Sequence, residues 1–142
     1  MPVLWRADLT EFSWPVRVYY EDTDAGGVVY HANYLAFMER ARTEWLRSLG
    51  FGQRELAAEV GVLFAVRSME LDFLKPARFD DELTVTATID NLARARIDFL
   101  QEIRSAAGEV LCRGRVRVAC IDGERFRPCA IPEVIRNAAE AT

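Results

Sequence analysis

The spacing of hydrophobic side chains changes several times along the chain. Between residues 33 and 49, apolar side chains recur every three or four positions and charged ones fill the gaps. This pattern predicts an amphipathic helix of about 17 residues. Gly50 follows, where a helix commonly ends. Two shorter helices are expected over residues 53–59 and 133–141.

Elsewhere apolar and polar residues alternate, which is typical of half-buried strands. The alternation predicts five strands, over residues 14–20, 62–74, 82–89, 95–103 and 109–121. Short joins connect the last three and predict antiparallel hairpins. Because the later strands do not alternate with helices, the chain is expected to form one α+β domain spanning residues 1–142.

One long helix cannot cover both faces of a five-strand sheet. Since hydrophobic residues make up 51% of the chain, we expect a second subunit to cover the remaining surface or to extend the sheet. Either arrangement would make the protein a homodimer or a homotetramer.

Composition narrows the possible partners and locations. The net charge of -4 comes with no block of basic residues, so nucleic acid is not an expected partner. No apolar run approaches the roughly 20 residues of a membrane span. The three cysteines, Cys112, Cys120 and Cys129, form no CxxC pair, which suits free thiols in a reducing compartment. A cytoplasmic protein is therefore predicted.

Reactive side chains are concentrated between the first strand and the long helix. Asp24 precedes two glycines and stands seven residues before His31, the single histidine of the chain. A carboxylate so placed could attack a carbonyl or activate a water molecule. The N–H groups at the start of the helix could stabilise an oxyanion, and the imidazole of His31 could bind substrate or protonate a leaving group.

The same residues also allow a purely structural interpretation. Aspartates in such a sequence often form turns or helix caps, and this role is favoured for Asp22. A calcium loop is excluded because Gly26 and Asn33 stand where liganding side chains are needed. The cysteines and His31 lack the spacing of a zinc site, and the chain lacks the βα units of an aspartate-based phosphatase.

Residues 20–44 read YEDTDAGGVVYHANYLAFMERARTE. This stretch resembles the signature of the hot-dog-fold 4-hydroxybenzoyl-CoA thioesterase family, and most closely its Tol-Pal-associated acyl-CoA thioesterase branch. With the strand order, the resemblance covers roughly residues 14–121. It implies a hot-dog fold, in which a five-strand antiparallel sheet wraps round one long helix. It also implies dimers, commonly paired into tetramers, with active sites at the dimer interface.

The resemblance also implies roles for individual residues. Asp24 matches the catalytic aspartate of the family, acting as nucleophile or general base. His31 matches a catalytic residue at the helix start whose backbone N–H polarises the thioester carbonyl. Tyr30 and Asn33 lie within the motif and are expected to position the site.

The family binds the phosphates of CoA near the hairpin between its third and fourth strands, where this chain carries Arg94 and Arg96. Two arginines two positions apart would point to the same side and could bind phosphate. Solvated charges at a strand edge are the alternative interpretation. Lys75 and Arg78, which flank a proline turn, are weaker candidates.

The function implied is that of an acyl-CoA thioesterase, which hydrolyses a thioester to free acid and CoA without a metal or other cofactor. Two alternatives within the same fold stay open. One is a dehydratase acting on substrates carried by acyl carrier protein. The other is a non-catalytic protein that binds acyl-CoA or acyl carrier protein, or serves as a scaffold.

Overall fold

A computed structural model describes residues 10–141. Its five strands form one sheet in the order β1-β3-β4-β5-β2, and every neighbouring pair is antiparallel. The sheet confirms the predicted α+β class. The strands are β1 (Phe12–Arg17), β2 (Val62–Phe73), β3 (Glu82–Leu92), β4 (Arg96–Arg104) and β5 (Val110–Asp122).

The long helix α1 spans His31–Ser48 and begins two residues earlier than predicted. The second predicted helix is divided into a short α2, Gln53–Glu55, and a π-helical turn, Leu56–Val60. Gly61 ends this turn with a φ of 78°, a conformation that favours glycine. The terminal helix α3 covers Glu133–Glu140.

The first strand ends three residues before the predicted boundary. Residues Tyr20–Asp22 form a 3-10 turn instead. The carboxylate of Asp22 accepts a hydrogen bond from the N–H of Tyr19 at 2.8 Å, and the N–H of Asp22 donates to the carbonyl of Tyr19 at 3.0 Å. These two bonds close a turn where the aromatic residues alone predicted a strand.

Helix α1 lies on one face of the sheet and supplies much of the core. Phe37, Met38 and Ala41 are completely buried. Each large side chain of this kind contributes about 1.5–3 kcal/mol through burial. This packing fixes the position of the helix, and with it the position of the segment that leads into its first residue.

The other face of the sheet is polar. Arg113 pairs with the buried Glu102 at 3.1 Å, and Arg115 pairs with Asp90 at 3.2 Å. Charged side chains of neighbouring strands therefore cover this face. The expected second subunit, which would cover this surface or extend the sheet, stays a prediction.

Candidate active site

The connector, residues 18–30, joins β1 to α1 and folds back on itself as a small hairpin. Thr23 pairs with Val29 in antiparallel fashion. The N–H of Asp24 donates to the carbonyl of Val28 at 2.9 Å, and the N–H of Gly27 donates to the carbonyl of Asp24 at 3.0 Å. Asp24 is thereby held near the start of α1.

The two glycines of this hairpin serve different purposes. Gly27 has a φ of 78°, which a residue with a side chain rarely adopts. Gly26 has an ordinary φ, but an added Cβ would lie 3.2 Å from the Oδ1 atom of Asp24. The first glycine makes room for the carboxylate, and the second allows the turn.

Asp22 clamps the connector to the helix. Its carboxylate, 4% exposed, accepts hydrogen bonds from the N–H of Tyr19 at 2.8 Å and from the Nδ2 of Asn33 at 2.9 Å. Its carbonyl accepts the N–H of Tyr30 at 2.8 Å. Both carboxylate oxygens of Asp22 are therefore engaged within the protein, and Asn33 is held by one of them.

Asp24 has a very different environment from Asp22. It is exposed, and its Oδ1 accepts a hydrogen bond from the N–H of Gly26 at 2.8 Å. Its other oxygen, Oδ2, has no hydrogen-bond partner within residues 10–141. The carboxylate is thus oriented through one oxygen while the other faces solvent.

The connector that carries Asp24 ends at the first turn of α1, which offers hydrogen-bond donors. The N–H groups of Tyr30 and Asn33 are used, by the carbonyls of Asp22 and Tyr30 respectively, each at 2.8 Å. In the described part of the chain, those of His31 and Ala32 have no acceptor. Such donors at a helix N-terminus can stabilise a developing oxyanion.

The imidazole of His31 is exposed and borders an apolar surface. Its ring lies 4.5 Å from the ring of Tyr30 and 6.3 Å from that of Phe73, measured between centroids. Leu35, Phe73 and Leu74 are also exposed. An apolar group bound at this point would contact these side chains.

A second anchor of the connector was missed in the sequence. The hydroxyl of Tyr34 accepts the N–H of Ala77 at 3.0 Å, and the carbonyl of Ala77 accepts the N–H of Val29 at 2.9 Å. Burial raises the pKa of Tyr34, and the negative charge of Asp24 adds to the shift. A phenol within the apolar stripe of α1 was the available signal.

The two candidate phosphate ligands lie at the opposite end of the sheet. Arg17 pairs with Glu82 at the connector end of β3, and Leu92 pairs with Ile97 at the far end. Ten residues of strand separate the two ends by about 33 Å. A single chain therefore does not bring Arg94 and Arg96 to Asp24.

The two arginines also differ from each other. Arg94 is exposed and lies in the bend between β3 and β4, which we call the far hairpin, residues 92–96. Arg96 is held by Asp98 through two hydrogen bonds, at 2.8 and 3.3 Å. Arg96 therefore already has a carboxylate partner, because Asp98 stands two positions further along β4 and points to the same side.

A cavity of about 120 Å³ lies between α1 and the sheet. It begins about 12 Å along the helix from His31, since each residue adds about 1.5 Å. Burial lowers the pKa of Arg42, at its edge, to about 10. Its lining includes Glu39, Arg42, Trp45, Phe64, Val66 and Phe99.

Within residues 10–141, no group of three or more His, Cys, Asp or Glu side chains is arranged to hold a metal ion. No helix in that region combines the length and the apolar character needed to cross a membrane.

The family model of the thioesterase-like superfamily matches residues 18–139. The acyl-CoA thioester hydrolase YbgC of Escherichia coli O6:H1 is 49% identical over 126 residues, covering 89% of this chain and 93% of the relative. The acyl-CoA thioesterase YbgC of Haemophilus influenzae is 46% identical over 127 residues, with the same coverage.

Solved structures of thioesterases resemble this chain in fold. A crystal structure described as a probable thioesterase from Bartonella henselae superposes with a TM-score of 0.83 at 40% identity. The match covers 87% of this chain and all of the other. Together with the sheet order, this likeness confirms the predicted hot-dog fold.

Proposed function

The chain belongs to the thioesterase-like superfamily, and from this premise we propose that it is an acyl-CoA thioesterase whose chemistry takes place at the connector. In the reaction, oxygen from water is added to the thioester carbonyl carbon and the carbon–sulfur bond breaks. CoA leaves as a thiolate, which is then protonated. The free carboxylic acid is the second product.

Asp24 is the residue proposed to begin the reaction. Its free Oδ2 can either deprotonate a water molecule or attack the carbonyl carbon directly, and both routes remain in the proposal. The bond from Gly26 to Oδ1 keeps the carboxylate oriented in either case. This half-engaged carboxylate, on a connector that ends at unpaired N–H groups of α1 in the described chain, is the observation that carries the proposal.

The helix start has the complementary role. The N–H groups of His31 and Ala32 would bind the carbonyl oxygen as negative charge develops on it. The imidazole of His31 would contact the thioester or protonate the departing sulfur. Tyr30 and Asn33 would position these groups, a role supported by their hydrogen bonds to Asp22.

The separation of the connector from the far hairpin supports a shared site in a homodimer. Strand β2 is an edge strand. One end of β2 lies near the far hairpin, because Ala65 is in register with Ala119, which is in turn in register with Arg96. Its other end, Phe73, reaches His31. If two β2 edges pair in antiparallel fashion, the connector of one copy lies beside the far hairpin of the other.

In such a dimer, Arg94 would bind a phosphate of CoA, and Arg96 would contribute positive charge while paired with Asp98. The cavity beside α1 would accept the acyl tail, since its lining is largely apolar. Pairing of dimers into a tetramer would leave this arrangement unchanged. A cytoplasmic location is proposed because the three cysteines are free.

The activity is tested with purified protein and a panel of acyl-CoA thioesters that differ in chain length and include an aromatic acyl group. Thiol release, followed with a chromogenic thiol reagent, is expected for at least one substrate. Acyl carrier protein thioesters and a hydratable enoyl-CoA are included in parallel. If no thioester releases thiol, the thioesterase proposal is contradicted and the acyl-binding and dehydratase alternatives remain. Turnover of the enoyl-CoA would then favour the dehydratase.

The shared site is tested by mixing two inactive or weakened variants. Co-expressed Asp24→Asn and Arg94→Ala chains would form mixed dimers in which one site carries both changes and the other carries neither. The proposal predicts that mixed dimers turn over low substrate concentrations faster than either variant alone. If verified mixed dimers gain no activity, the two regions do not form one site across the interface.

A further inference from the structure

Two of the three cysteines lie against each other on neighbouring segments. The Sγ atoms of Cys120 and Cys129 are 3.6 Å apart. The N–H of Cys129 donates to the carbonyl of Cys120 at 2.9 Å, and the adjacent residues Ile121 and Pro128 pair in antiparallel fashion. The two cysteines are therefore directly opposite each other.

This register suits a covalent link. Opposite residues of an antiparallel pair have Cα atoms about 4.5–5.5 Å apart. That spacing falls within the range of about 4.4–6.8 Å found across disulfides. The backbone therefore already holds Cys120 and Cys129 at the separation that a disulfide requires.

We propose that Cys120 and Cys129 are a redox modification site that closes to a reversible disulfide when a low-molecular-weight disulfide such as oxidised glutathione is present. The thiolate of Cys129 attacks the external disulfide, forms a mixed disulfide and releases one glutathione thiol. The sulfur of Cys120 then attacks Cys129 and releases the second. Two protein thiols are oxidised and one external disulfide is reduced to two thiols.

The environments of the two thiols explain the order of attack. Cys129 is partly exposed, whereas Cys120 is completely buried. Burial, reinforced by the hydrogen bond with Cys129, raises the pKa of Cys120 to about 12. The exposed thiol therefore meets the oxidant, and the buried one serves as the resolving thiol because it is already in contact.

The disulfide would restrain residues 127–136, the segment that supports the far hairpin. The N–H of Ile131 donates to the carbonyl of Arg94 at 2.8 Å, and the guanidinium of Arg136 donates to the carbonyl of Ala93 at 2.5 Å. Cys120 itself donates its N–H to the carbonyl of Ala95 at 2.8 Å. Oxidation would therefore fix residues 127–136 against the strand beneath this hairpin.

The test uses the reduced full-length chain, treated with oxidised glutathione and then denatured under conditions that trap free thiols. Closure predicts that the intact mass falls by about 2 Da, through loss of two hydrogens. The free thiols should fall from the three in the sequence to the single thiol of Cys112. Dithiothreitol should restore all of them, and peptide mapping should join Cys120 to Cys129.

Cys112 is the internal control, because it is buried without a sulfur partner and burial raises its pKa to about 12. In Cys129→Ser, both remaining thiols should stay reduced. Retention of three thiols by the wild type, a persistent glutathione adduct or a link involving Cys112 would overturn the proposal.

A second measurement tests whether the disulfide stabilises the protein by holding residues 127–136 in place. The oxidised wild type should melt several degrees higher than the reduced protein, roughly 5 °C, since the closed loop has less freedom when unfolded. Cys129→Ser should show no such change with oxidant. An unchanged or lowered melting temperature in a protein shown to carry the bond would contradict the fastening role.

Discussion

The connector and the far hairpin stand at opposite ends of the same sheet and are built differently. The connector is tied by hydrogen bonds to α1 and to Ala77, yet it leaves one oxygen of Asp24 free. The far hairpin presents Arg94 to solvent, and its other arginine, Arg96, is paired with Asp98. One end leaves a carboxylate oxygen available, and the other offers the guanidinium of Arg94, whose charge has no ion-pair partner within residues 10–141.

This difference predicts a division of kinetic effects. Changes that disturb the connector should lower kcat, because they displace the groups that we propose to act on the reacting carbonyl. Changes in the far hairpin should raise KM, because they weaken contacts that are the same in substrate and transition state. The following variants test this division.

Among the variants that keep Asp24, the largest effect is expected for Asp22→Ala. The change leaves the N–H of Tyr19 and the amide of Asn33 without their acceptor. The free energy of unfolding should fall by about 2–4 kcal/mol, and kcat should fall roughly tenfold as Asp24 and the helix start lose their fixed relation. Denaturant melts and steady-state kinetics measure the two quantities.

Asp122→Ala is the matched control for Asp22→Ala. Asp122 also accepts backbone hydrogen bonds, from Glu124 at 2.9 Å and Arg125 at 3.1 Å, but in an exposed turn away from the connector. Its loss should change the free energy of unfolding much less than the loss of Asp22 and leave kcat unchanged. Equal losses of kcat in both variants would show that the hydrogen bonds of Asp22 have no special role in positioning the site.

Arg94→Ala should give a smaller effect of a different kind. Loss of one charge-assisted contact with a phosphate should raise KM about fivefold to tenfold and leave kcat unchanged. Arg54→Ala removes the same charge from an exposed position on α2 and should change neither constant. A fall in kcat with constant KM would place Arg94 outside CoA binding.

The smallest effect is expected for Tyr34→Phe. The ring stays, but the N–H of Ala77 loses its acceptor, so stability should fall by about 1 kcal/mol and kcat about threefold. Tyr19→Phe alters an exposed tyrosine and serves as the control. A stability loss with full kcat would show that Tyr34 supports the fold without positioning the site.

The sequence predicted the fold well because the strands and α1 carry strong periodic patterns. It failed where a side chain competes with that pattern, as at Tyr20–Asp22, where the carboxylate of Asp22 closes a turn. The helix predicted over residues 53–59 is α-helical for three residues only and continues as a π-helical turn. Both failures involve local hydrogen bonding that hydrophobic spacing does not record.

For the candidate site, too, the sequence predicted some features and missed others. Asp24, Tyr30, His31 and Asn33 come together because they are neighbours in the sequence. The bond between Tyr34 and Ala77 joins residues 43 positions apart and depends on tertiary packing. The ion pair of Arg96 with Asp98, by contrast, joins residues two positions apart on one strand, so strand alternation was the available signal for it.

The central claim is that Asp24 performs the chemistry, and Asp24→Asn tests it most directly because the amide keeps the shape of the side chain. On the best acyl-CoA of the panel, thiol release should slow by roughly a thousandfold with an unchanged melting temperature. A variant that folds normally and stays within tenfold of the wild-type rate would contradict the claim.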